Sequence, residues 1–194
     1  MKNKIKTFFR KYWIVLSLIA AAIIIVGYFV NIIVFENKKD VLNILVLSSD
    51  INIEAMEEEL YSLIEVNDDE EIVIKYMDSN GEADQAIILT WLRSRTVDVV
   101  IGEEDGIDFY ARNGCLVDMK ELGIETDESD YYNAVDEYSS EGEIIGTGEQ
   151  TLFGKYVNPI TGLENMEKPI VAMAVNALNT ENGMRILRYY MEIK

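Results

Sequence analysis

Three short apolar runs alternate with amphipathic helical patterns between residues 41 and 114, and this alternation constrains the fold more than any other feature. The runs are rich in β-branched residues and lie at 41–47, 72–77 and 97–101. Each run is followed by a turn and then by apolar residues at helical spacing. Strands that alternate with helices of this length pair in parallel, with helices on both faces of the sheet. The sequence therefore predicts an α/β fold with an open, doubly wound, mostly parallel sheet.

Local signals place the ends of two of these helices. Asn52 precedes the first helical pattern and is a suitable N-cap, because its side chain can accept a hydrogen bond from the first turn. Asn113 and Gly114 follow the third helical pattern, and glycine readily adopts the left-handed conformation that ends helices. We therefore expect one helix to begin just after Asn52 and another to end at Asn113.

The pattern changes after Gly123. Residues 127–138 are acidic and rich in tyrosine, and they fit either a long loop or a short helix. Residues 143–157 carry glycines between apolar residues, which predicts a pair of short antiparallel strands. A buried strand at 169–175 and a last helix from Thr180 complete the expected domain.

Residues 12–35 contain no charged side chain. As an α-helix this run reaches roughly 36 Å, which is enough to cross a bilayer. Basic residues precede it, so the positive-inside rule places residues 1–11 in the cytoplasm. We expect a single-pass protein of the cell membrane, with a linker at 36–40 and an extracellular domain at 41–194. The alternative is a signal peptide cleaved at 20–22, although the apolar run is longer than a signal core.

The charge of the chain is strongly uneven. All 35 acidic residues, but only 12 of the 17 basic residues, follow residue 35, which gives this part a net charge of −23. Such a surface repels nucleic acid and anionic headgroups, and it attracts cations or basic partners. Solubility outside the cell explains the same charge without a specific partner. We expect no nucleic-acid binding.

The residue types exclude most catalytic chemistry. The chain contains no histidine and one cysteine, Cys115, which removes histidine-based hydrolases, imidazole or thiolate metal sites and any intramolecular disulfide. Neither a GxxxxGK[ST] phosphate loop nor the spacing of a calcium loop is present. We expect no enzyme activity, no cofactor and no metal site. A carboxylate pair that acts as a glycosidase acid and base is the one catalytic alternative left open.

Polar side chains follow each of the three predicted strands. In open α/β sheets, ligands bind outside the carboxyl ends of the parallel strands. Hydroxyls, amides and carboxylates at this position suit a small polar or cationic solute. The alternative is that each group only caps the helix that follows it. The candidate ligand-binding residues are Ser49, Asp50, Ser79, Asn80, Glu103 and Glu104.

Three segments carry a resemblance to a known family: VLNILVLSSD at 41–50, DQAIILTWLRSRTVDVVIGEED at 84–105 and FYARNGCLVDMKELG at 109–123. In this order they resemble the first lobe of the extracellular solute-binding proteins of ABC transporters, of the two-lobed, type 2 periplasmic-binding class. The resemblance implies capture of a small solute, such as a sugar, a peptide or a polyamine, and its delivery to a permease. It also implies that the strand-end loops form half of the ligand cleft.

The resemblance covers about one lobe. The 154 residues after the linker leave the second lobe absent or reduced to residues 127–157. Two functions therefore stay open. The first is a non-catalytic, solute-binding accessory of a transporter permease. The second is a protein-interaction or assembly subunit of a cell-surface membrane complex, with its contact at 127–138 and without a small-molecule ligand.

Overall fold

A computed structural model of the chain describes residues 12, 17, 22–26, 38–79 and 81–192. The chain divides into two compact units, Met1–Lys39 and Asp40–Lys194. Most of the predicted transmembrane segment, 12–35, lies outside the described residues. Within the described residues, no helix is long and apolar enough to cross a membrane.

The described part of the second unit forms eight strands and four helices. The strands are β1 (Lys39–Val46), β2 (Glu70–Tyr76), β3 (Val99–Gly102), β4 (Asp130–Asn133), β5 (Asp136–Tyr138), β6 (Ile144–Thr147), β7 (Thr151–Tyr156) and β8 (Ile170–Met173). The helices are α1 (Ile53–Leu63), α2 (Glu82–Arg93), α3 (Glu104–Arg112) and α4 (Thr180–Tyr190). The mixed α/β class is as predicted.

Six strands form one sheet in the order β2-β1-β3-β8-β7-β4. β1 and β3 are parallel, with Ile44 opposite Val99. β2 runs in the same direction, because the N–H of Met77 after β2 donates to the carbonyl of Val46 at the end of β1. The pairs β3–β8, β8–β7 and β7–β4 are antiparallel. β1, β2, β3 and β7 thus share one direction, as expected for a mostly parallel sheet. The antiparallel pairing of β8, β7 and β4 was not predicted.

Helices cover both faces of this sheet. A methyl group built on Gly183 of α4 would lie 3.0 Å from Met173 Cε and 3.6 Å from Val99 Cγ2. One built on Gly102 would lie 3.3 Å from Ile107 Cγ1 of α3. Side chains alternate along a strand, so Val99 and Gly102 face opposite sides of the sheet. α3 and α4 therefore lie on opposite faces, as a doubly wound fold requires.

The two helix ends predicted from local signals are confirmed. Asn52 Oδ1 accepts a hydrogen bond from the Ala55 N–H at 3.3 Å, and α1 begins at Ile53. Asn113 is the C-cap of α3, and Gly114 follows it with φ +65°. A residue with a Cβ would be strained at this φ, so the glycine determines where the helix ends.

Strand pairing in the second half differs from the prediction. The two strands found at 143–157 do not pair with each other: β6 pairs with β5, whereas β7 enters the main sheet between β4 and β8. Residues 127–138, predicted as a loop or a helix, contain β4 and β5. Both differences have the same cause, because strand partners are selected by packing contacts that local spacing does not encode.

β5 and β6 form a separate two-stranded ribbon that contains a bulge. Glu137 pairs with Gly146 and Tyr138 pairs with Ile144, so Ile145 is the extra residue of the bulge. Ile144 and Ile145 are both exposed. Within the described residues, neither outer edge of the ribbon has a strand partner.

The strands of the sheet end at two opposite sides of the domain. The side at which β1, β2 and β3 end is the carboxyl edge, and it consists of residues 47–50, 77–79 and 103–104. The opposite side, at which β1 and β3 begin, is the amino edge. α2 and α3 end there, since each helix leads the chain back from the carboxyl edge. β8 also ends there, because it is antiparallel to β3.

Asp98 is fully buried at the amino edge, directly before β3. Its carboxylate accepts hydrogen bonds from the N–H groups of Asn43 (2.8 Å), Leu178 (2.8 Å) and Asn179 (2.9 Å), and from Asn179 Nδ2 (2.9 Å). These donors belong to β1 and to the segment before α4. The buried charge is tolerated because the hydrogen bonds replace those of water, and it joins three parts of the fold.

Replacement of Asp98 by alanine is expected to destabilise the fold strongly. It removes the acceptor of four donors, and a buried donor without a partner costs about 1–3 kcal/mol. We expect Asp98→Ala to lower the free energy of unfolding by roughly 3 kcal/mol or more, measured by urea unfolding of the full chain in detergent. The control is Asp68→Ala in the exposed turn before β2, with an expected change below about 0.5 kcal/mol. Equal effects of the two variants contradict this role of Asp98.

Candidate functional site

The fold brings candidate residues from three loops to the carboxyl edge, since β2, β1 and β3 are neighbours and end on the same side. This is the position at which open α/β sheets bind ligands. Asn80 lies outside the described residues. The candidates that the structure describes at this edge are Ser49, Asp50, Ser79, Glu103 and Glu104.

The loops after β1 and β2 are joined by a hydrogen bond. The Ser49 N–H donates to Asp78 Oδ1 at 2.9 Å, and both residues are exposed. Ser79 is buried, and its carbonyl accepts a hydrogen bond from Gln85 Nε2 of α2 at 3.0 Å. Asp78 therefore presents a carboxylate at this edge, whereas Ser79 packs beneath it. Asp78 was not among the candidate residues, although its position in the same turn as Ser79 could have indicated it.

A loop from the second half of the chain reaches the carboxyl edge. This covering loop, residues 157–169, connects β7 to β8. Asn165 Nδ2 donates to Asp50 Oδ2 at 2.6 Å, and the Glu167 N–H donates to Glu103 Oε1 at 2.9 Å. Two of the candidate carboxylates are therefore hydrogen-bonded to the chain itself.

Gly162 fixes the path of the covering loop. Its carbonyl accepts a hydrogen bond from the Asn52 N–H at 2.9 Å, directly before α1. It has φ +83°, and a Cβ at this position would lie 2.5 Å from the carbonyl oxygen of Asn52. Only glycine fits so close to the backbone of another segment.

Glu104 lies in the first turn of α3 and contacts the far half of the sheet. The Tyr156 hydroxyl donates to Glu104 Oε2 at 2.7 Å. Burial, together with the hydrogen bond to Glu104, raises the pKa of Tyr156 to about 12. Tyr156 is therefore a protonated donor at neutral pH. A ligand that binds Glu104 competes with this neutral donor.

Tyr131 joins β4 to α3 next to this contact. Its hydroxyl donates to Asp108 Oδ1, and Asn133 Nδ2 donates to the same oxygen at 2.8 Å. Tyr131 is buried, and burial together with Asp108 raises the pKa of its hydroxyl. Part of the acidic, tyrosine-rich segment is thus structural, which the sequence analysis missed. The available signal was the two-residue spacing of Tyr131 and Asn133, which puts both on one face of a strand.

Helix capping does not account for all the polar groups at this edge. Glu103 is the N-cap residue of α3, but its side chain makes no hydrogen bond to the helix and accepts the N–H of Glu167 instead. The N-cap of α2 is Gly81, which has no side chain. Glu104 and Asp105 lie in the first turn of α3, where a negative charge stabilises the helix through its dipole even without a ligand.

The carboxylates at the carboxyl edge keep their negative charge uncompensated. Asp50, Asp78, Glu103 and Glu104 accept hydrogen bonds from neutral donors only. The ion pairs within the described part of the chain involve other carboxylates, those of Asp127, Asp130 and Asp136. Neutral donors orient a carboxylate but do not cancel its charge, so the edge attracts cations.

Two other carboxylates are paired with a cation, Lys155 of β7. Its buried Nζ lies 2.6 Å from Asp127 Oδ2 and 2.9 Å from Asp130 Oδ1. Burial by itself lowers the pKa of Lys155, but the ion pairs with Asp127 and Asp130 outweigh it and raise the pKa. The same ammonium, with hydrogen bonds from Ser129, lowers the pKa of Asp127 to about 2. These carboxylates are neutralised within the fold, unlike those at the carboxyl edge.

A cavity of about 830 Å³ lies along α1 and not among the candidate residues. Its described wall comes from a single helix, whereas a small-molecule site normally encloses most of its ligand. The described residues contain no cluster of three side chains suited to a metal ion. The cavity is lined by Asn52, Glu54, Ala55, Glu57, Glu58, Tyr61 and Ser62.

Comparison of the chain with protein-family models, with curated proteins and with solved structures finds no match. The resemblance to a solute-binding lobe stays a prediction from the sequence. A functional proposal therefore rests on the residues and on the geometry of the carboxyl edge.

The ion pairs of Lys155 predict an acid-dependent loss of stability. Because the pKa of Asp127 is lower in the folded chain than its ordinary 3.8, its contribution is complete above about pH 4 and is lost as the pH falls through about 2. We expect the urea midpoint to fall over this range. Lys155→Met should have a lower midpoint at pH 7 and a smaller further fall. Lys168→Met, at an exposed lysine, should keep the original profile. A Lys155→Met profile that parallels the unsubstituted chain contradicts the ion-pair role.

Proposed function

We propose that this chain is a non-catalytic, membrane-anchored, extracytoplasmic binding domain, similar to one lobe of a transporter solute-binding protein, and that its carboxyl edge binds a small cationic solute. The observation that carries the proposal is the set of uncompensated carboxylates at the ends of three neighbouring strands. No other group of described residues combines acidic side chains from so many loops with a position typical of ligand sites.

The covering loop supplies a mechanism for this binding. Asn165 and Glu167 donate neutral hydrogen bonds to Asp50 and Glu103. The ammonium groups of a ligand replace these donors with charged ones, and charge-assisted hydrogen bonds are roughly twice as strong as neutral ones. The displaced loop can then lie over the ligand as the second wall of the site. Transfer to a membrane permease follows from the family resemblance alone.

Binding of a linear diamine or polyamine is expected to raise the thermal stability of the full chain in detergent. At a concentration 100 times the Kd, a ligand stabilises by about 2.7 kcal/mol, which raises the Tm of a domain of this size by roughly 5 °C or more. The probes are putrescine and spermidine. Glucose, glycine and sodium chloride at equal ionic strength serve as comparisons.

The double variant Asp50→Asn, Glu103→Gln should abolish the response. Glu54→Gln, Glu58→Gln removes the same charge from the exposed side of α1 and is the matched control. Loss of the response in the α1 variant alone places the ligand in the cavity along α1 and overturns the assignment to the carboxyl edge. The absence of any shift in a folded chain overturns cationic solute binding.

The second candidate is a protein-interaction or assembly subunit. It is favoured by one observation: Tyr132 and Tyr138, in the acidic segment 127–138, are 40% and 47% exposed. Amphipathic aromatic rings are enriched at protein interfaces. Asp127 and Asp130 of the same segment pair with Lys155, so deletion of the whole segment removes β4 and unfolds the sheet. Point substitutions are therefore the appropriate test.

Crosslinking in native membranes is expected to recover one defined partner if this second function is correct. Tyr132→Ser, Tyr138→Ser should reduce the yield of the crosslinked species at least fivefold. Tyr61→Ser, Tyr76→Ser replaces two tyrosines of similar exposure elsewhere and should leave the yield unchanged. Equal yields from both double variants remove the reason to assign a contact to this segment.

A further inference from the structure

Strongly exposed aliphatic side chains are confined to one side of the domain. Between residues 40 and 192, four large aliphatic side chains are more than half exposed in the described part: Ile144 (55%), Ile145 (67%), Val175 (51%) and Leu178 (62%). Single exposed apolar residues are ordinary on a protein surface, whereas a cluster indicates a contact. All four lie at the amino edge.

The positions of Val175 and Leu178 follow from the path of the chain after β8. β8 is antiparallel to β3 and reaches the amino edge at Met173, opposite Val99. Val175 follows directly. The Leu178 N–H donates to the buried carboxylate of Asp98 at 2.8 Å, which holds this turn beside the start of β3.

The positions of Ile144 and Ile145 follow from the contacts between the ribbon and the end of α3. Arg112 Nη2 at the end of α3 lies 3.0 Å from Asp136 Oδ1 of β5, and the Tyr138 hydroxyl donates to Asn113 Oδ1 at 3.3 Å. Since α3 ends at the amino edge, the ribbon is fixed there. Ile144 pairs with Tyr138, and Ile145 is the bulge residue beside it.

The two groups are connected through residues 113–115. The Val175 N–H donates to the carbonyl of Cys115 at 2.9 Å. A methyl group built on Gly114 would lie 3.6 Å from Val135 Cγ1, directly before β5. One continuous stretch of backbone thus links the turn after β8 to the ribbon, and we call the four exposed aliphatic residues at this edge the apolar rim.

Exposed arginines border this rim. Arg93 and Arg95 lie at the end of α2, and Arg112 lies at the end of α3. Arginine can donate hydrogen bonds to phosphate while its alkyl stem packs on apolar surface. The same edge also carries Glu137, Glu141 and Glu143 of the ribbon and Asp68, Asp69 and Glu71 at the start of β2, which weaken contact with a strongly anionic surface. This combination of aliphatic and cationic side chains fits the interface of a zwitterionic bilayer.

The path of the chain points to the same surface. β1 begins at Lys39 on the amino edge, only four residues after the uncharged run 12–35 ends. Four extended residues span at most about 14 Å. If that run crosses the membrane, the amino edge is the part of the domain closest to the lipid.

We propose that the amino edge lies on the lipid headgroup surface, with Ile144, Ile145, Val175 and Leu178 in the interface and Arg93 and Arg95 at the phosphates. The proposal rests on the membrane anchor and not on solute binding. It goes beyond the proposed function because it fixes the orientation of the domain. The carboxyl edge then faces away from the membrane and is open to solutes.

Fluorescence quenching in nanodiscs tests this orientation on the full chain. Ile145→Cys and Leu178→Cys are labelled with an environment-sensitive fluorophore in a Cys115→Ala background, in nanodiscs of phosphatidylcholine that contains a nitroxide-labelled lipid. Tyr76→Cys, at an exposed tyrosine at the end of β2 on the carboxyl edge, is the control position. We expect quenching by the lipid nitroxide to be at least threefold stronger at 145 and 178 than at 76. A water-soluble quencher should give the reverse order.

Equal lipid quenching at all three positions overturns the proposal, and so does a chain that does not associate with the bilayer. Positions 145 and 178 that are open to the aqueous quencher in nanodiscs, but protected in native membranes, identify a protein occupant and also overturn it. The thermal response to spermidine is measured in detergent. Failure of lipid contact and failure of solute binding are therefore separate outcomes.

Discussion

The buried carboxylate of Asp98 is the interaction on which both edges of the domain depend. It stands directly before β3, the strand at which the sheet changes from parallel pairing with β1 to antiparallel pairing with β8. A carboxylate suits this junction because its two oxygens can accept hydrogen bonds from several donors at once. Asp98 thereby fixes β1 and the turn that carries Leu178 to the same strand. The spacing of the loops at the far end of β1 and β3 follows from this alignment.

Three groups of acidic side chains in the described part of the chain differ in their physical situation. Asp98 is buried and satisfied by backbone and amide donors, and Asp127 and Asp130 are neutralised by Lys155. The carboxylates at the carboxyl edge are exposed and accept only neutral donors. Water and salt reduce their mutual repulsion, so the fold tolerates them at small cost. Their charge is therefore available to a ligand in a way that the charge of the other two groups is not.

The sequence predicted those parts of the fold that depend on neighbouring residues. The cap at Asn52 and the stop at Gly114 are local, and the apolar runs of β1 and β3 reflect burial on both faces. The carboxyl edge followed from parallel topology alone. The contact of Asn165 with Asp50 spans 115 residues, and no local spacing encodes it. The ion pairs of Lys155 could not be predicted from the sequence either, because Asp127 and Asp130 come close to Lys155 only when β4 pairs with β7.

The bulge at Ile145 also protects the chain from association with its own copies. A two-stranded ribbon with open edges is a template on which a strand of another molecule can add. The extra residue interrupts the regular spacing of N–H and carbonyl groups along β6. Glu137 pairs with Gly146, and its Oε2 lies 3.1 Å from the position of a Cβ there, so the ribbon also carries a charge over this glycine. A bulge and a charged side chain are both features that disfavour edge-to-edge pairing of strands.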